Sequence, residues 1–285
     1  MRRIMIEISD KVVRSTIFKR PSNSYKGMYG RVLLIGGNLN FGGAIIMSAE
    51  ATVNSGAGLT SVATDINNLC SLHSRIPEVM FIDWRDTKLV EAIENSDVIA
   101  IGPGLGLDAQ AKLLLKLVKN TVKSTQTVIL DASALDWLAE DYTLLPVNAK
   151  KIVLTPHQKE WERVSQIKIP FQEDGDNFAV LKSLFPDNNG ILVLKSNHTK
   201  IYDCFGKVYQ NPLGNPGMAT GGMGDTLTGI LAGFCGQFSA KIETVASAVY
   251  LHSLAGDELF KKRYVVLPTQ LSAKIPQLMK QFSLE

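Results

Sequence analysis

The sequence predicts an α/β fold with a mostly parallel central sheet covered by helices on both faces. Three observations carry that prediction. Short runs that are apolar throughout recur along the chain, as in strands buried on both sides. Longer stretches with helical periodicity separate them, which is the alternation of strands with crossover helices. The apolar runs end on glycine, proline, Asp131 or Lys195, and open α/β sheets bind ligands at the carboxyl ends of their strands.

In chain order, Arg31 to Ile35 is a buried strand that ends at Gly36-Gly37. A helix is expected from about Gly43 to Asn54, and its small residues Ala44, Ser48, Ala49 and Ala51 allow close packing. Leu59 to Ala63 and Val98 to Ile101 are the next strands, the second ending at Gly102-Pro-Gly-Leu-Gly106. Ala109 to Lys119 reads as an amphipathic helix with Leu113, Leu114, Leu117 and Val118 on one face. Thr127 to Leu130 ends at Asp131, Lys151 to Leu154 at Thr155-Pro-His157, and Gly190 to Leu194 at Lys195. Tyr202 to Tyr209 reads as a hairpin around Gly206. Three helices close the chain: about Thr226 to Cys235, Glu243 to Phe260, and Thr269 to Gln281 behind Pro268. Ile169 to Asn177 is the least structured stretch, short and polar. With no low-complexity linker and no internal repeat, residues 1–285 are expected to form one domain. Residues 1–20 carry no interpretable motif.

Composition bounds the function. Of 285 residues, 45% are hydrophobic and 20% charged, which excludes wholesale disorder. Thirty Lys and Arg against 27 Asp and Glu give a net charge of +3, too even for a surface that coats nucleic acid. Lys261-Lys-Arg263 ends a helix, where cations are stabilising anyway. Cys70, Cys204 and Cys235 lie far apart without metal or redox spacing and are expected to be buried free thiols. Met1 to Asp10 has no uninterrupted apolar core, and no apolar run reaches the roughly 20 residues that span a bilayer. A soluble cytoplasmic protein without membrane or nucleic-acid partners is expected.

The most informative segment is Asn215-Pro-Gly-Met-Ala-Thr-Gly-Gly-Met-Gly-Asp225, followed by an apolar helix. Glycines allow close backbone approach, and the first N–H groups of a helix make an anion site. A carboxylate there repels phosphate, but it suits a general base that takes a proton from a hydroxyl attacking phosphorus. The other reading of Asp225 is a plain helix N-cap. No Lys-Ser or Lys-Thr follows the last glycine, so the segment is not a P-loop, and no strand leads into it as a dinucleotide fingerprint requires. A lysine for phosphate must come from elsewhere, and Lys195 is the candidate.

Gly214 to Asp225 resembles the signature of the ADP-dependent NAD(P)H-hydrate dehydratases, repair enzymes of ribokinase-like fold. The resemblance runs over nearly the whole chain. It includes Gly30 to Gly37, Gly42 to Ala44, Ser55 to Thr60, Ile101 to Gly106, Asp131-Ala132, Leu154 to His157 with Glu160, and Tyr250 to Asp257. The glycine-Asp motif alone is shared with sugar and vitamin-precursor kinases; the set is more specific. The resemblance implies dehydration of the S form of NADH or NADPH hydrate, using ADP and releasing AMP and phosphate. Asp225 would deprotonate the C6 hydroxyl, and the backbone N–H groups of Gly222, Met223 and Gly224 would hold the transferring phosphoryl group. Ala44, Gly104, His157 and Asp225 match positions that contact the hydrate. Gly224 and the stretch Lys195, Ser196, Asn197, His198 and Thr199 match positions that contact the adenine nucleotide. Mg²⁺ is expected on phosphoryl-transfer grounds, with no dedicated protein metal site. ATP in place of ADP stays open, and a homotetramer is implied. One position departs from the family: Ser196 stands where Gly is usual. Some relatives carry a fused epimerase domain, and this chain is expected to act without one on the S form of the hydrate.

Plainer readings stand beside these. A histidine after a strand end and a proline, like His157, is also a helix-start or solvent residue. His198 is equally a surface-loop residue; His73 and His252 are read as structural. Gly102, Gly104 and Gly106 could simply make a tight turn, but their place after a central strand favours a pyrophosphate or ribose contact; Asp131 and Asn148 could be polar turn residues. Glu160 fits a helix's first turn. Trp84, Trp137 and Trp161 read as packing, with Trp161 near enough to His157 to reach substrate. Two further functions compete: an ATP-dependent small-alcohol kinase, and a non-catalytic nucleotide sensor that would have no need of Asp225.

Overall fold

The computed structural model describes residues 4–283. The N-terminal reading of Met1 to Asp10 and the 1–285 span therefore reach, at residues 1–3 and 284–285, outside the described residues. The elements follow in order: β1 Ile4–Glu7, α1 Asp10–Thr16, β2 Arg31–Ile35, α2 Gly42–Asn54, β3 Leu59–Thr64, α3 Leu69–Arg75, β4 Met80–Asp83, α4 Lys88–Glu94 and β5 Val98–Ile101. Next come α5 Ala109–Thr121, β6 Thr127–Leu130, α6 Ser133–Glu140, β7 Lys151–Leu154, α7 Gln158–Ser165, α8 Asp174–Leu184, β8 Gly190–Leu194, β9 Lys200–Asp203 and β10 Lys207–Gln210. Three longer helices finish the chain: α9 Met223–Phe238, α10 Ile242–Phe260 and α11 Pro268–Phe282.

All ten strands form one sheet in the order β1-β10-β9-β8-β7-β6-β5-β2-β3-β4. The pairs from β4 to β8 are parallel, and the β9–β10 hairpin supplies the antiparallel pairs. Successive residues of a strand point to opposite faces. Leu34 and Ala100 accordingly face α2, α9, α10 and α11, while Leu33 and Ile99 face α4 to α8. Each face buries a separate apolar cluster, as expected of continuous apolar strands.

The chain runs outward from β2 through β3 to β4, then returns to place β5 on the other side of β2. That reversal makes a topological switch point at the carboxyl ends of β2 and β5, the place where open α/β sheets bind ligands. Helices α2 and α9 cross closely above it. A Cβ on Gly229 would sit 2.1 Å from the Ser48 carbonyl oxygen. The Ser48 hydroxyl donates to the Asp225 carbonyl at 2.8 Å, and the Thr52 hydroxyl to the Gly229 carbonyl at 3.0 Å.

Several expectations are corrected. Leu113 is 60% exposed; the buried face of α5 is Ala111, Leu114, Leu115 and Val118. The stretch Ile169 to Asn177 is structured, as a 3-10 turn at Ile169–Phe171 and the start of α8. Asn177 there is fully buried and accepts from the Trp161 indole N–H at 2.7 Å. Within the first twenty residues, β1 extends the sheet beside β10, and α1 packs on α10 with the Tyr250 hydroxyl donating to Asp10 at 2.8 Å. Cys204 and Cys235 are buried, but Cys70 is exposed. Among the described residues no helix is long and apolar enough to cross a membrane.

Candidate active site

Helix α9 begins at Met223, earlier than the expected Thr226, so Met223, Gly224 and Asp225 form its first turn. Gly222 is the N-cap, at φ +96°, a region that disfavours a side chain. A Cβ there would also come within 2.4 Å of the Met47 sulfur. The first α-helical bond runs from Thr226 N–H to the Gly222 carbonyl at 2.9 Å. The N–H groups of Met223, Gly224 and Asp225 precede it and lack partners within the helix. Unpaired N–H groups at the positive end of a helix dipole have the chemistry to receive an anion. The plain N-cap reading of Asp225 is overturned, because Gly222 holds that position. No donor among the described residues binds the Asp225 carboxylate.

Lys195 lies at the end of β8, beside that first turn: a Cβ on Gly224 would be 3.3 Å from its ammonium nitrogen. Its charge is matched from below. Asp131, at the end of β6, accepts from Lys195 Nζ at 3.0 Å, from the Thr155 hydroxyl at 2.8 Å and from the Thr228 hydroxyl at 2.7 Å. Asp131 is therefore no solvent-facing turn residue; its side chain is 2% exposed and that of Lys195 21%. Burial disfavours the Lys195 charge, but Asp131 and Glu160 outweigh it and hold the ammonium above its ordinary range. Asp225 shows the opposite balance. Burial, then the negative field of Asp131 and Glu160, pushes its carboxyl up to about 6 against the pull of Lys195.

His157 and Glu160 form a reciprocal cap at the start of α7. His157 Nδ1 accepts from the N–H groups of Lys159 and Glu160, both at 3.1 Å, and Glu160 accepts from the His157 N–H at 2.7 Å. Nδ1 is thereby committed as an acceptor, so the neutral ring carries its proton on Nε2, 3.5 Å from Glu160 Oε1. The helix-start reading of His157 holds, and the ring is still half exposed. A backbone bridge joins His157 to Lys195, with Lys195 N–H donating to the Pro156 carbonyl at 2.8 Å. Burial, mainly, raises the Glu160 carboxyl, with Asp131 adding to it and Lys195 opposing.

At the switch point, the N–H groups of Gly37 and Asn38 donate to the carbonyls of Pro103 and Gly104 at 2.9 and 2.7 Å. Gly104 takes φ +61°, and a Cβ there would meet the Phe41 carbonyl at 2.3 Å and Ala44 Cβ at 3.1 Å. The glycines make a tight turn that brings Gly104 against Ala44.

A cavity of about 280 Å³ opens on the other side of Lys195. Lys195, Ser196, Asn197, Thr199 and Gly224 line it. His198 is exposed and is not among the residues that line it. Ser196 takes no positive φ, so the change from Gly carries no conformational penalty there. Leu213, Met218 and Val249 make an apolar end. Asp257 holds the loop above, accepting from the Gly214 N–H at 3.2 Å and from the Asn215 amide at 2.7 Å. His252 lines the same cavity and donates from Nε2 to the Met223 carbonyl at 3.2 Å, a place its structural reading from sequence did not anticipate. A larger groove of 450 Å³, between Phe18, Tyr29, Phe238 and Met279, contains none of these residues. Trp161 is fully buried, which settles it as packing.

The donor set does not form a cage for a divalent cation. Both Asp131 oxygens and one of Glu160 are already engaged. Among the described residues no three His, Cys, Asp or Glu are placed to hold a metal.

Comparison with known proteins places this arrangement. Residues 32–277 match a family described as NAD(P)H-hydrate dehydratase. An ADP-dependent (S)-NAD(P)H-hydrate dehydratase of Enterococcus faecalis is 49% identical over 277 residues, covering 97% of this chain and 93% of that protein. A crystal structure of a ribokinase-like superfamily protein from Enterococcus faecalis superposes with a TM-score of 0.94 at 48% identity, covering 99% of this chain and 97% of that one. The ADP/ATP-dependent NAD(P)H-hydrate dehydratase of Bacillus subtilis, co-crystallised with ATP and Mg²⁺, gives a TM-score of 0.80 at 28% identity over 96% of this chain and 98% of that one.

Proposed function

Because the chain belongs to the NAD(P)H-hydrate dehydratase family, we propose that it repairs NADH and NADPH hydrates at the site built around Asp225. It is an ADP-dependent enzyme that dehydrates the S form of the hydrate. The nucleotide occupies the cavity between Lys195 and Met218, and the hydrate lies over the switch point against Ala44, Gly104 and His157. The observation that carries this reading is the Asp225 carboxylate, bound by no donor among the described residues and pushed up to about 6, in the first turn of a helix whose unpaired N–H groups can receive phosphate.

Asp225 takes the proton of the C6 hydroxyl as that oxygen bonds to the terminal phosphorus of ADP and the bond to AMP breaks. A base with its proton affinity near working pH suits that step. The N–H groups at the start of α9 and the Lys195 ammonium stabilise the charge of the transferring group. The C6 ester then loses phosphate, driven by the ring nitrogen lone pair, and loss of a C5 proton restores the dihydronicotinamide. His157, able only to donate from Nε2–H, serves as a hydrogen-bond donor to the hydrate. Mg²⁺ in this reading would arrive with the nucleotide and neutralise phosphate charge, since among the described residues no three His, Cys, Asp or Glu are placed to hold it.

Purified (S)-NADH hydrate mixed with the protein, Mg²⁺ and ADP should regain the near-ultraviolet band of NADH, with one AMP and one phosphate per turnover. A stable phosphorylated product would identify a small-alcohol kinase instead.

A further inference from the structure

His252 is a buried side chain in the wall of the cavity assigned to the nucleotide, and one of its ring nitrogens is unused. Nε2 faces the Met223 carbonyl oxygen at 3.2 Å. A carbonyl oxygen only accepts, so Nε2 carries the proton. The ring is neutral: burial pulls its pKa down to about 4, with the Lys195 charge acting the same way against the bond to Met223. A neutral ring protonated on Nε2 leaves Nδ1 with a bare lone pair. No donor among the described residues engages Nδ1, and it is absent from the buried atoms that lack a partner. It therefore opens to the cavity that the residue lines. An unpaired acceptor beside Leu213, Met218 and Val249 calls for a ligand that brings a donor.

We propose that His252 is a specificity-determining residue of the nucleotide site, its Nδ1 accepting a hydrogen bond from a donor of the bound nucleoside. The inference rests on reading this cavity as the nucleotide site. Two nucleoside groups have the required chemistry. Adenine carries an exocyclic amine, where guanine and hypoxanthine carry a carbonyl oxygen that would face the lone pair. Ribose carries hydroxyls, which donate equally well. Either way, the wall rewards a donor and penalises an acceptor, because an acceptor left against Nδ1 is buried without a partner.

The test is calorimetry of the full chain with ADP, IDP and 2′-deoxy-ADP. His252→Asn places an amide oxygen near the Nδ1 position and keeps an acceptor. His252→Gln reaches the Met223 carbonyl with its amide N–H and keeps that donor, but loses the acceptor. The expected result is ADP affinity within about three-fold of wild type for His252→Asn and roughly ten-fold weaker for His252→Gln. Wild type should discriminate against one analogue, and His252→Gln should lose that discrimination: against IDP if the amine is the donor, against 2′-deoxy-ADP if the ribose is. Equal ADP affinity in wild type and His252→Gln, with the analogue ratios unchanged, overturns the assignment while leaving the nucleotide site intact. Wild type that binds no adenine nucleotide removes the site reading, and this inference with it.

Discussion

Replacing Asp225 by Asn separates catalysis from stability in opposite directions. The carboxyl moves from an ordinary 3.8 to about 6 in the folded chain. A group whose proton is held more tightly in the folded state contributes stability fully below 3.8 and loses it as pH rises through about 6. At neutral pH the ionised carboxylate is therefore a burden on the fold, on the order of 3 kcal/mol for a fully counted shift. Partial exposure trims that to roughly 1–2 kcal/mol. Asn has nearly the same shape and no charge. Asp225→Asn should accordingly raise Tm at pH 7 by roughly 2–6 °C, with the gain vanishing near pH 4. ADP binding should hold or tighten, since a negative neighbour of the phosphates is gone. Turnover should fall by about 10²-fold or more. In wild type, turnover should drop as pH falls through about 6, because the base must be ionised, and Asp225→Asn should lack that limb. Calorimetric melts at pH 4 and 7 with steady-state kinetics read all of this. Wild-type turnover in the variant, or a lower Tm at pH 7, would refute the reasoning.

Three further outcomes follow from the same geometry. Lys195→Ala should weaken ADP binding more than hydrate binding in calorimetry, and melts should show a loss on the order of 3 kcal/mol, because Asp131 is left buried and unpaired. Thr228→Val removes one hydroxyl donor from Asp131 at nearly constant shape; denaturant melts should show a cost of about 1–3 kcal/mol. Gly222→Ala puts a side chain at φ +96° against Met47; it should cost about 1–2 kcal/mol in melts and lower turnover by displacing the first turn of α9.

The strands of the sheet centre were legible because each is apolar throughout, and β2, β5, β6, β7 and β8 stand at their expected bounds. Edge strands β1 and β4 have four residues each, mix charge with apolar residues and carry no such signal. The start of α9 was misplaced because Gly222 and Gly224 read as loop. Gly224 nevertheless lies in the first turn, where the N–H groups need no helical partner. Asp225 and Lys195 were singled out from the glycine-rich segment and a strand end, and Ala44 and Gly104 only through the family resemblance. The role of Asp131 was not, because its partners Thr155, Lys195 and Thr228 are 24, 64 and 97 residues away. No local pattern encodes such a cluster; only the sheet order brings β6, β7, β8 and α9 together. The structural reading of His252 agrees with its burial, but its partner, a carbonyl 29 residues earlier, is equally invisible in local sequence.

The central claim is that the C6 hydroxyl oxygen, freed of its proton by Asp225, becomes bonded to phosphorus before it leaves. Hydrate labelled with oxygen-18 in that hydroxyl tests it directly. After a single turnover with ADP, mass spectrometry should find the label in inorganic phosphate. Label in water, with NADH regained and ADP cleaved, would contradict phosphoryl transfer to the hydrate and remove Asp225 from the role of base.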